Sequence, residues 1–395
     1  TPAPGIQMAG DVDRMRPVEE IRAPLLVQAL AAAISGKKIC LESIDALGTT
    51  CKYGDRLRSE ISEAIGTTPD AVVAHGKQSH SAPVVGNHAL SDECDLVPKE
   101  LDWIRGGDPR YIEPFFEGVH KAVRQANASL QPVRIKAGRG MEGRVAFNRR
   151  FVMRNSKAKT HPPSCSPDIL HAEGPVDPEV GVAVLTDRAD QPMAALLHFT
   201  CHPVHGYPHR WISPDWPGAW VEGVRKLLGG RAIPMVINGA CGNVHHVNHI
   251  NPKNSETDTI EIMGQRLTET TATILNRLEP LASDTLAWSS RIVKMPWRKR
   301  SEEALAAARE LIARKPHPVL DEKGKVGWDW VFAAALLDIE AQKAKQSHYD
   351  LELQVLRLGD LCIVCWPGEP FVEGQLEVKR LSPKPYTFVA HWCND

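Results

Sequence analysis

The sequence lacks an excess of charge of either sign: Lys+Arg 47 against Asp+Glu 48 leaves a formal net charge of -1 over 395 residues. Nothing global draws such a chain to nucleic acid or to an anionic membrane surface, so a small molecule or a polar polymer is the more natural substrate. A cysteine framework is missing too. Nine cysteines, an odd number, stand at 40, 51, 94, 165, 201, 241, 362, 365 and 393 without regular spacing, which argues against a disulfide scaffold. Cys362 and Cys365 form a CxxC, but they lie in the apolar run LCIVCW, where strand positions three apart face opposite sides and cannot share a redox or zinc site. No run approaches the roughly 20 apolar residues of a membrane-spanning helix. Internal repeats, low-complexity linkers and a compact HExxH pair are absent as well. The chain begins TPAPG, without methionine, which raises the expectation of a removed leader and a secreted or periplasmic protein.

What is present is a chain long enough, at 43% hydrophobic, to bury a large core without staples. Strand-like apolar runs alternate with helical stretches. The run 37–47 reads as a buried strand, 53–66 as a helix closed by glycine, and 70–76 as another strand. Helical spacing recurs over 108–130, 216–230, 255–279 and 300–317. GVAVLTD and PMAALLHFTC read as two strands joined by a turn, and 232–243 runs from a strand into a glycine-bearing loop. Residues 318–332 read as a more polar, Lys-bearing stretch with the aromatic cluster GWDWVF. The end of the chain reads as strand, strand, turn, helix. The expectation is one α/β domain over 1–395, with mixed β-sheets and flanking helices.

Four polar loops each follow an apolar strand: HGKQSHSAP (75–83), TCHPVHG (200–206), NGACGNVHHVNH (238–249) and WPGEP (366–370). Open α/β sheets place their ligand sites at such strand ends. Histidines there can be metal ligands or acid–base groups, and a glutamate on a Pro-Gly turn could complete a metal site. Others invite plainer readings. His198, on an apolar strand, reads as a core histidine, and His205 and His209 as rim groups. Asp215 reads as a helix cap as readily as a catalytic group. The cluster VHHVNH could hold metal or bind sugar hydroxyls or carboxylates, and the tryptophans at 211, 216, 220, 328 and 330 read as core or pocket wall.

The loops also carry a resemblance. TPAPGIQMAGD, HSAP (80–83), FNRR (147–150), HFTCHP followed by ISPDWPG, INGACGNV and WPGEPFVEG occur in the order and approximate spacing of the amino-terminal catalytic domain of the neutral/alkaline, non-lysosomal ceramidase family. The resemblance runs from about residue 2 to the end. It implies a zinc-dependent amidase domain acting on an N-acyl sphingoid base, with His202 and Glu369 as metal ligands and Arg149 facing the substrate. The sequence departs from the pattern in two places. Where the family has Thr-His-Thr-His-Ser, this chain has Lys77-Gln78-Ser79-His80-Ser81, so Gln78 replaces an imidazole ligand and His80 or His75 would have to shift inward to serve. In the loop after INGACG, His245 stands where ceramidases carry a serine. The family also places a tyrosine ligand beyond the final strand and an immunoglobulin-like domain after it; this sequence ends at FVAHWCND.

Three functions follow as expectations. One is a zinc hydrolase cleaving an amide or ester, with metal on His202, Glu369 and His80, and a substrate that need not be ceramide. Another is a metal-free lyase acting on uronic acids, or another sugar-active enzyme, in which Gln78, His80, His202, His245 and Arg149 form the pocket. The third is a non-catalytic module recognising lipid or glycan.

Overall fold

The computed structural model describes residues 1–253, 259–281 and 285–395. Its first sheet begins with strands Val27–Ile34 and Lys37–Ile44, paired antiparallel in full register. The two residues between them, Ser35 and Gly36, have φ of 49° and 79°, the paired positive values of a tight turn whose twist matches that of the strands. Helix Cys51–Ile65 then crosses back to Val72–Gly76, parallel to Lys37–Ile44. The helix stops at Gly66, whose left-handed φ of 70° lets its N–H reach the Ser62 carbonyl, as a glycine C-cap does.

A second sheet of five strands runs in the order Ile233–Asn238, Pro192–Phe199, Glu179–Thr186, Arg134–Met141, Glu279–Pro280. Its first pair is parallel and the others are antiparallel. A third sheet pairs Leu286–Pro296 with His348–Leu358 over eleven positions, and continues through Leu361–Cys365 to the parallel strand Tyr386–Ala390.

Side-chain alternation assembles the layers. In the first sheet Ile39, Leu41 and Val73 point one way, into a core shared with Ala183, Leu196, Met235 and Ile237 of the second sheet and Leu356, Ile363 and Phe388 of the third. Their neighbours Cys40, Ile44, Val72 and Ala74 point the other way, onto helices Cys51–Ile65 and Ile112–Ala128 through Leu57, Ile61, Phe116 and Val119. The outer face of the second sheet, Val182, Ala195, Leu197 and Val236, packs on helices Asp215–Leu227 and Ile260–Leu275 through Trp216, Trp220, Met263 and Leu267. The result is helix, sheet, sheet, helix, with period-two strands supplying both of their faces. Helices Glu302–Arg314 and Trp328–Lys345 form a satellite core with Val12, Leu90 and Ile104.

The α/β reading with mixed sheets holds, and the elements read from sequence lie within a few residues of their expected places. Three things differ. The Lys-bearing stretch after 317 contains the long helix Trp328–Lys345; its apolar residues VFAAALL run consecutively and draw no single stripe. Strand Arg134–Met141 carries Arg, Lys and two glycines, which hide it. Of the helix expected over 255–279, Ile260–Leu275 is observed, and 255–258 lie outside the described residues. All nine cysteines are free, and Cys362 and Cys365 face opposite sides of their strand, Cys365 the buried one. Among the described residues no helix is long and apolar enough to cross a membrane.

Leu196 is fully buried in the core between the sheets. Truncating it should leave a cavity that the flanking strands cannot close. Leu196→Ala is expected to destabilise the fold by about 2–5 kcal/mol, read as a lowered denaturant midpoint; an unchanged midpoint would contradict the shared core.

Candidate active site

Three parallel strand pairs deliver their loops to one end of the molecule, and buried polar groups tie those loops together. His75, at the end of its strand, is fully buried. Its Nδ1 lies 2.6 Å from the His391 carbonyl and its Nε2 accepts the Asn238 backbone N–H at 3.0 Å. A carbonyl only accepts, so the proton is on Nδ1. Both nitrogens are then committed, and His75 is not available to replace a missing ligand. The Asn238 side chain donates to the Lys77 carbonyl (3.0 Å) and accepts from the Cys201 N–H (3.2 Å). Lys77 is itself anchored, its ammonium buried against Asp45 (2.7 Å) and Gln28 (2.9 Å).

Within this frame, the residues singled out from sequence come together. His202 Nδ1 sits 2.7 Å from the Cys241 carbonyl, which fixes the Nδ1–H tautomer and leaves Nε2 with its lone pair, 3.7 Å from Glu369 Oε2. A histidine held this way is prepared to accept a proton or a cation. Arg149 donates from Nε and Nη2 to the Gly242 carbonyl (3.0 and 2.5 Å), and its Nη2 stands 4.0 Å from Glu369. Burial first, then Arg149 and His80, drives the His202 pKa well below its ordinary value, so the ring is neutral at neutral pH. Burial pushes the Glu369 carboxyl up, and Arg149 offsets only part of that shift.

Gln78 occupies the expected ligand position with a left-handed φ of 66° and no solvent exposure. Its Oε1 accepts from the Cys241 thiol at 3.1 Å. Burial raises that thiol's pKa well above normal, so it stays protonated and can only be the donor. The amide is thereby oriented with Nε2 towards Glu369. Neither Nε2 nor the Trp392 indole N–H reaches hydrogen-bonding geometry with the carboxylate, though both help hold its charge.

The His80 ring lies 5.5 Å from that of His202, centre to centre. Its Nδ1 packs against Gly10, where a Cβ would come within 2.4 Å, so only glycine admits the ring there. Burial, then Arg16 and Arg149, brings the His80 pKa down to about 3. His245 accepts from the Val247 N–H through Nδ1 (2.9 Å), stacks on His246 (4.3 Å) and meets His161 edge-on (5.0 Å). It is driven well below its ordinary pKa by burial, then by His246, His161 and His202.

Some residues behave otherwise than expected. Asp215 is not the helix cap: Pro214 holds that position, and Asp215 is the first helical residue, with φ 59°. Its carboxylate takes the His205 Nδ1 and the Trp216 N–H, both at 2.7 Å, so His205 is a buried partner of Asp215 and not a rim group. Burial would raise Asp215, but His205 and the Trp216 N–H hold it below the ordinary carboxylate value. His198 is the core histidine expected, stacked 5.1 Å from Phe388 and accepting the Val389 N–H at 3.2 Å. Trp211, Trp216, Trp220 and Trp330 are buried, and Trp328 is exposed. Sequence reasoning did not single out Cys241, Asn238 or Trp392 for the site. Only the setting of Cys241 and Asn238 in the NGACGN loop hinted at them.

A catalytic zinc takes three protein ligands. Among the described residues no group of three or more His, Cys, Asp or Glu is gathered so as to hold a metal ion. His202 and Glu369 adjoin, but the Gln78 oxygen is engaged by a thiol and the His75 nitrogens by backbone. The donor set present does not fit the zinc centre that the resemblance implies, because the imidazole expected as third ligand beside His202 and Glu369 has become an amide.

No protein-family model matches the chain, and no curated protein matches it by sequence. Among solved structures, it superposes on neutral ceramidase from Pseudomonas aeruginosa with a TM-score of 0.70 at 15% identity, covering 99% of this chain and 65% of that one. A ceramidase complexed with C2 gives a TM-score of 0.70 at 14% identity, covering 99% of this chain and 66% of that one. The chain thus has a ceramidase-like α/β fold and spans just under two thirds of the length of these structures.

The buried histidines make stability depend on pH. His75, His80 and His246 are lowered to about 3, and His88, His161 and His391 to about 4, in each case chiefly by burial. In the unfolded chain these rings take a proton near 6.5, which the folded state refuses. Stability is therefore complete above that value and lost progressively as pH falls towards the folded pKa values. These histidines are expected to make the thermal midpoint fall steeply below about pH 6; a midpoint constant from about pH 6 down to about pH 5 would contradict the neutral cluster.

Proposed function

We propose that the chain is a hydrolase, cleaving an amide or ester bond in a polar substrate beside His202, Glu369 and Arg149. The observation that carries this reading is the His202 ring. Its tautomer is fixed by the Cys241 carbonyl, and its basic nitrogen faces a carboxylate next to a guanidinium. Water held between His202 and Glu369 would lose a proton to Nε2 as it attacks the carbonyl. Arg149 and the Gln78 amide N–H would stabilise the oxygen that gains negative charge, and His202 would pass the proton it took from the water to the leaving group, with His80 and His245 lining the pocket beside it. Zinc on His202 and Glu369, implied by the resemblance, would supply Lewis acidity, but no step is assigned to it because the residues present offer two donors where three are needed.

A second reading, β-elimination from a uronic acid polymer, is favoured by the Gln78 amide nitrogen, which makes no hydrogen bond, and by Arg149, both of which act on Glu369. Those two groups would neutralise a substrate carboxylate while His202 removes the neighbouring proton. Its signature is an unsaturated, ultraviolet-absorbing product in place of a hydrolysed one. Binding of lipid or glycan without turnover is the third possibility.

His202→Ala is expected to lower turnover of N-acyl amide or ester substrates by about 100-fold or more. Undiminished turnover would remove His202 from the mechanism, whereas lost turnover of no substrate at all, with ligand affinity retained, would mark a binding module. If ionised Glu369 holds the water, activity falls as pH drops through its raised pKa, and Glu369→Gln should abolish that limb. Elemental analysis tests the metal. The purified protein is expected to carry well under one zinc per chain, and Gln78→His, which restores a third ligand, about one. About one zinc in the unaltered protein, lost in Glu369→Ala, would replace this mechanism by a zinc-dependent one.

A further inference from the structure

A second cluster of nucleophilic and basic groups lies apart from His202 and Glu369. The loop after strand Ala158–Thr160 reads His161-Pro162-Pro163-Ser164-Cys165. It is pinned at both ends: the His161 N–H donates to the Arg149 carbonyl at 3.0 Å, and the Cys165 N–H to the His249 carbonyl at 2.8 Å. The Ser166 N–H returns to the Pro163 carbonyl at 3.2 Å, closing a turn with Ser164 and Cys165 at its corners. Cys165 has φ 56° and His161 φ 50°, left-handed values that are costly outside glycine and persist only where the surroundings impose them. The turn holds Ser164 at the surface with its hydroxyl against the ring of His249.

The distances there are those of a nucleophile and its base. Ser164 Oγ lies 3.3 Å from His249 Nδ1, and His249 Nε2 lies 3.2 Å from His161 Nδ1. His249 is buried, and Phe151 meets its ring edge-on at 5.8 Å. Burial holds its pKa below the ordinary value, so the ring is neutral at neutral pH and carries one proton. Given by Nε2 to His161, that proton leaves the Nδ1 lone pair facing the Ser164 hydroxyl. An accessible hydroxyl on a shielded base, which a third group orients in turn, is how a serine is activated. The Ser164 N–H makes no hydrogen bond among the described residues, and it stands beside its own Oγ, where the oxygen of an attacked carbonyl would lie.

We infer that Ser164, His249 and His161 form a second catalytic site, an esterase for short acyl groups. Ser164 Oγ bonds to the carbonyl carbon as its proton passes to His249 Nδ1. The bond from that carbon to the alcohol oxygen breaks, and the alcohol leaves with the proton. Water then attacks the acyl-serine, its proton passing to His249; the acid is released and the proton returns to Ser164 Oγ. Pro163, Cys165 and Ile250, whose carbonyl accepts the Cys165 thiol, are all exposed, which gives a long acyl chain little wall to bury against. A neutral imidazole orients the base less strongly than a carboxylate does, so slow turnover is expected. The inference does not rest on the hydrolytic reading at His202.

The test is labelling of the purified chain with a fluorophosphonate, mapped by peptide mass spectrometry, together with hydrolysis of p-nitrophenyl acetate. The label is expected on Ser164, and an acid quench during turnover should trap an acetyl group on the same residue. Ser164→Ala, at an exposed position, should remove the label and lower turnover of the acetate by about 100-fold or more, while leaving the turnover assigned to His202 as it was. His249→Gln, checked for an intact melt, should slow the labelling of Ser164 by about 100-fold. p-Nitrophenyl octanoate should be cleaved more slowly than the acetate. The inference is overturned by a label that maps to another residue or to none, by the reverse order of the two esters, or by acetate turnover that survives Ser164→Ala; loss of that surviving turnover in His202→Ala would place it at the other cluster.

Discussion

The candidate site depends on one buried amide. The Asn238 side chain joins the loop after Val72–Gly76, through the Lys77 carbonyl, to the loop after Pro192–Phe199, through the Cys201 N–H, and its own backbone N–H is taken by His75. Buried polar groups of this kind are costly unless fully satisfied and rigid when they are. A second clamp stands beside it. Gln375 accepts the Ala240 N–H at 2.7 Å and donates to Thr200 at 2.7 Å and Asp177 at 2.6 Å. A side chain at residue 239 would strike both Thr200 and Gln375, so glycine there lets the clamp close. Gln78, His202, Cys241 and Glu369 hold their relative positions because the loops that carry them are tied at their roots.

Electrostatics follows from the same enclosure. Removing His202, His80 and His245 from water keeps them neutral, and Arg149 adds to the effect. Partial desolvation pushes Glu369, whose side chain keeps 38% of its exposure, the other way. A neutral imidazole and a reluctantly ionised carboxyl therefore stand 3.7 Å apart. The structural histidines are kept neutral by the same means, which is why depressed pKa values alone do not mark the site. His75 and His198 are as deeply buried as His202, but their environments commit them to the fold.

Much of this was legible in the sequence where the signal is local or carried by an ordered set of motifs. Strand alternation, the Gly66 cap and the polar loops at strand ends could be read directly, and the series from HSAP to WPGEP pointed to a fold that the structure has. His198 could be read as core from its apolar neighbours. What stayed hidden depends on contacts between distant segments. Asp215 carries the residue type of a cap, but its partner is the ring of His205 across a loop. The thiol that turns the Gln78 amide comes from residue 241, and the indole that approaches Glu369 from residue 392; no spacing rule links them. Helix Trp328–Lys345 escaped because its consecutive apolar residues draw no stripe.

The clustered side chains come from both halves of the sandwich: Gln78 and His80 follow a strand of the first sheet, His202 and Cys241 follow strands of the second, and Glu369 and Trp392 follow strands of the third. Sliding one sheet past another by a single residue would move its contribution by about 3.3 Å, more than the difference between a hydrogen bond and none. Shear between layers, a common way for packed elements to accommodate a ligand, is therefore closed to this protein. Whatever opening admits a substrate has to come from the loops themselves, while the sheets stay in register as a fixed anvil beneath them.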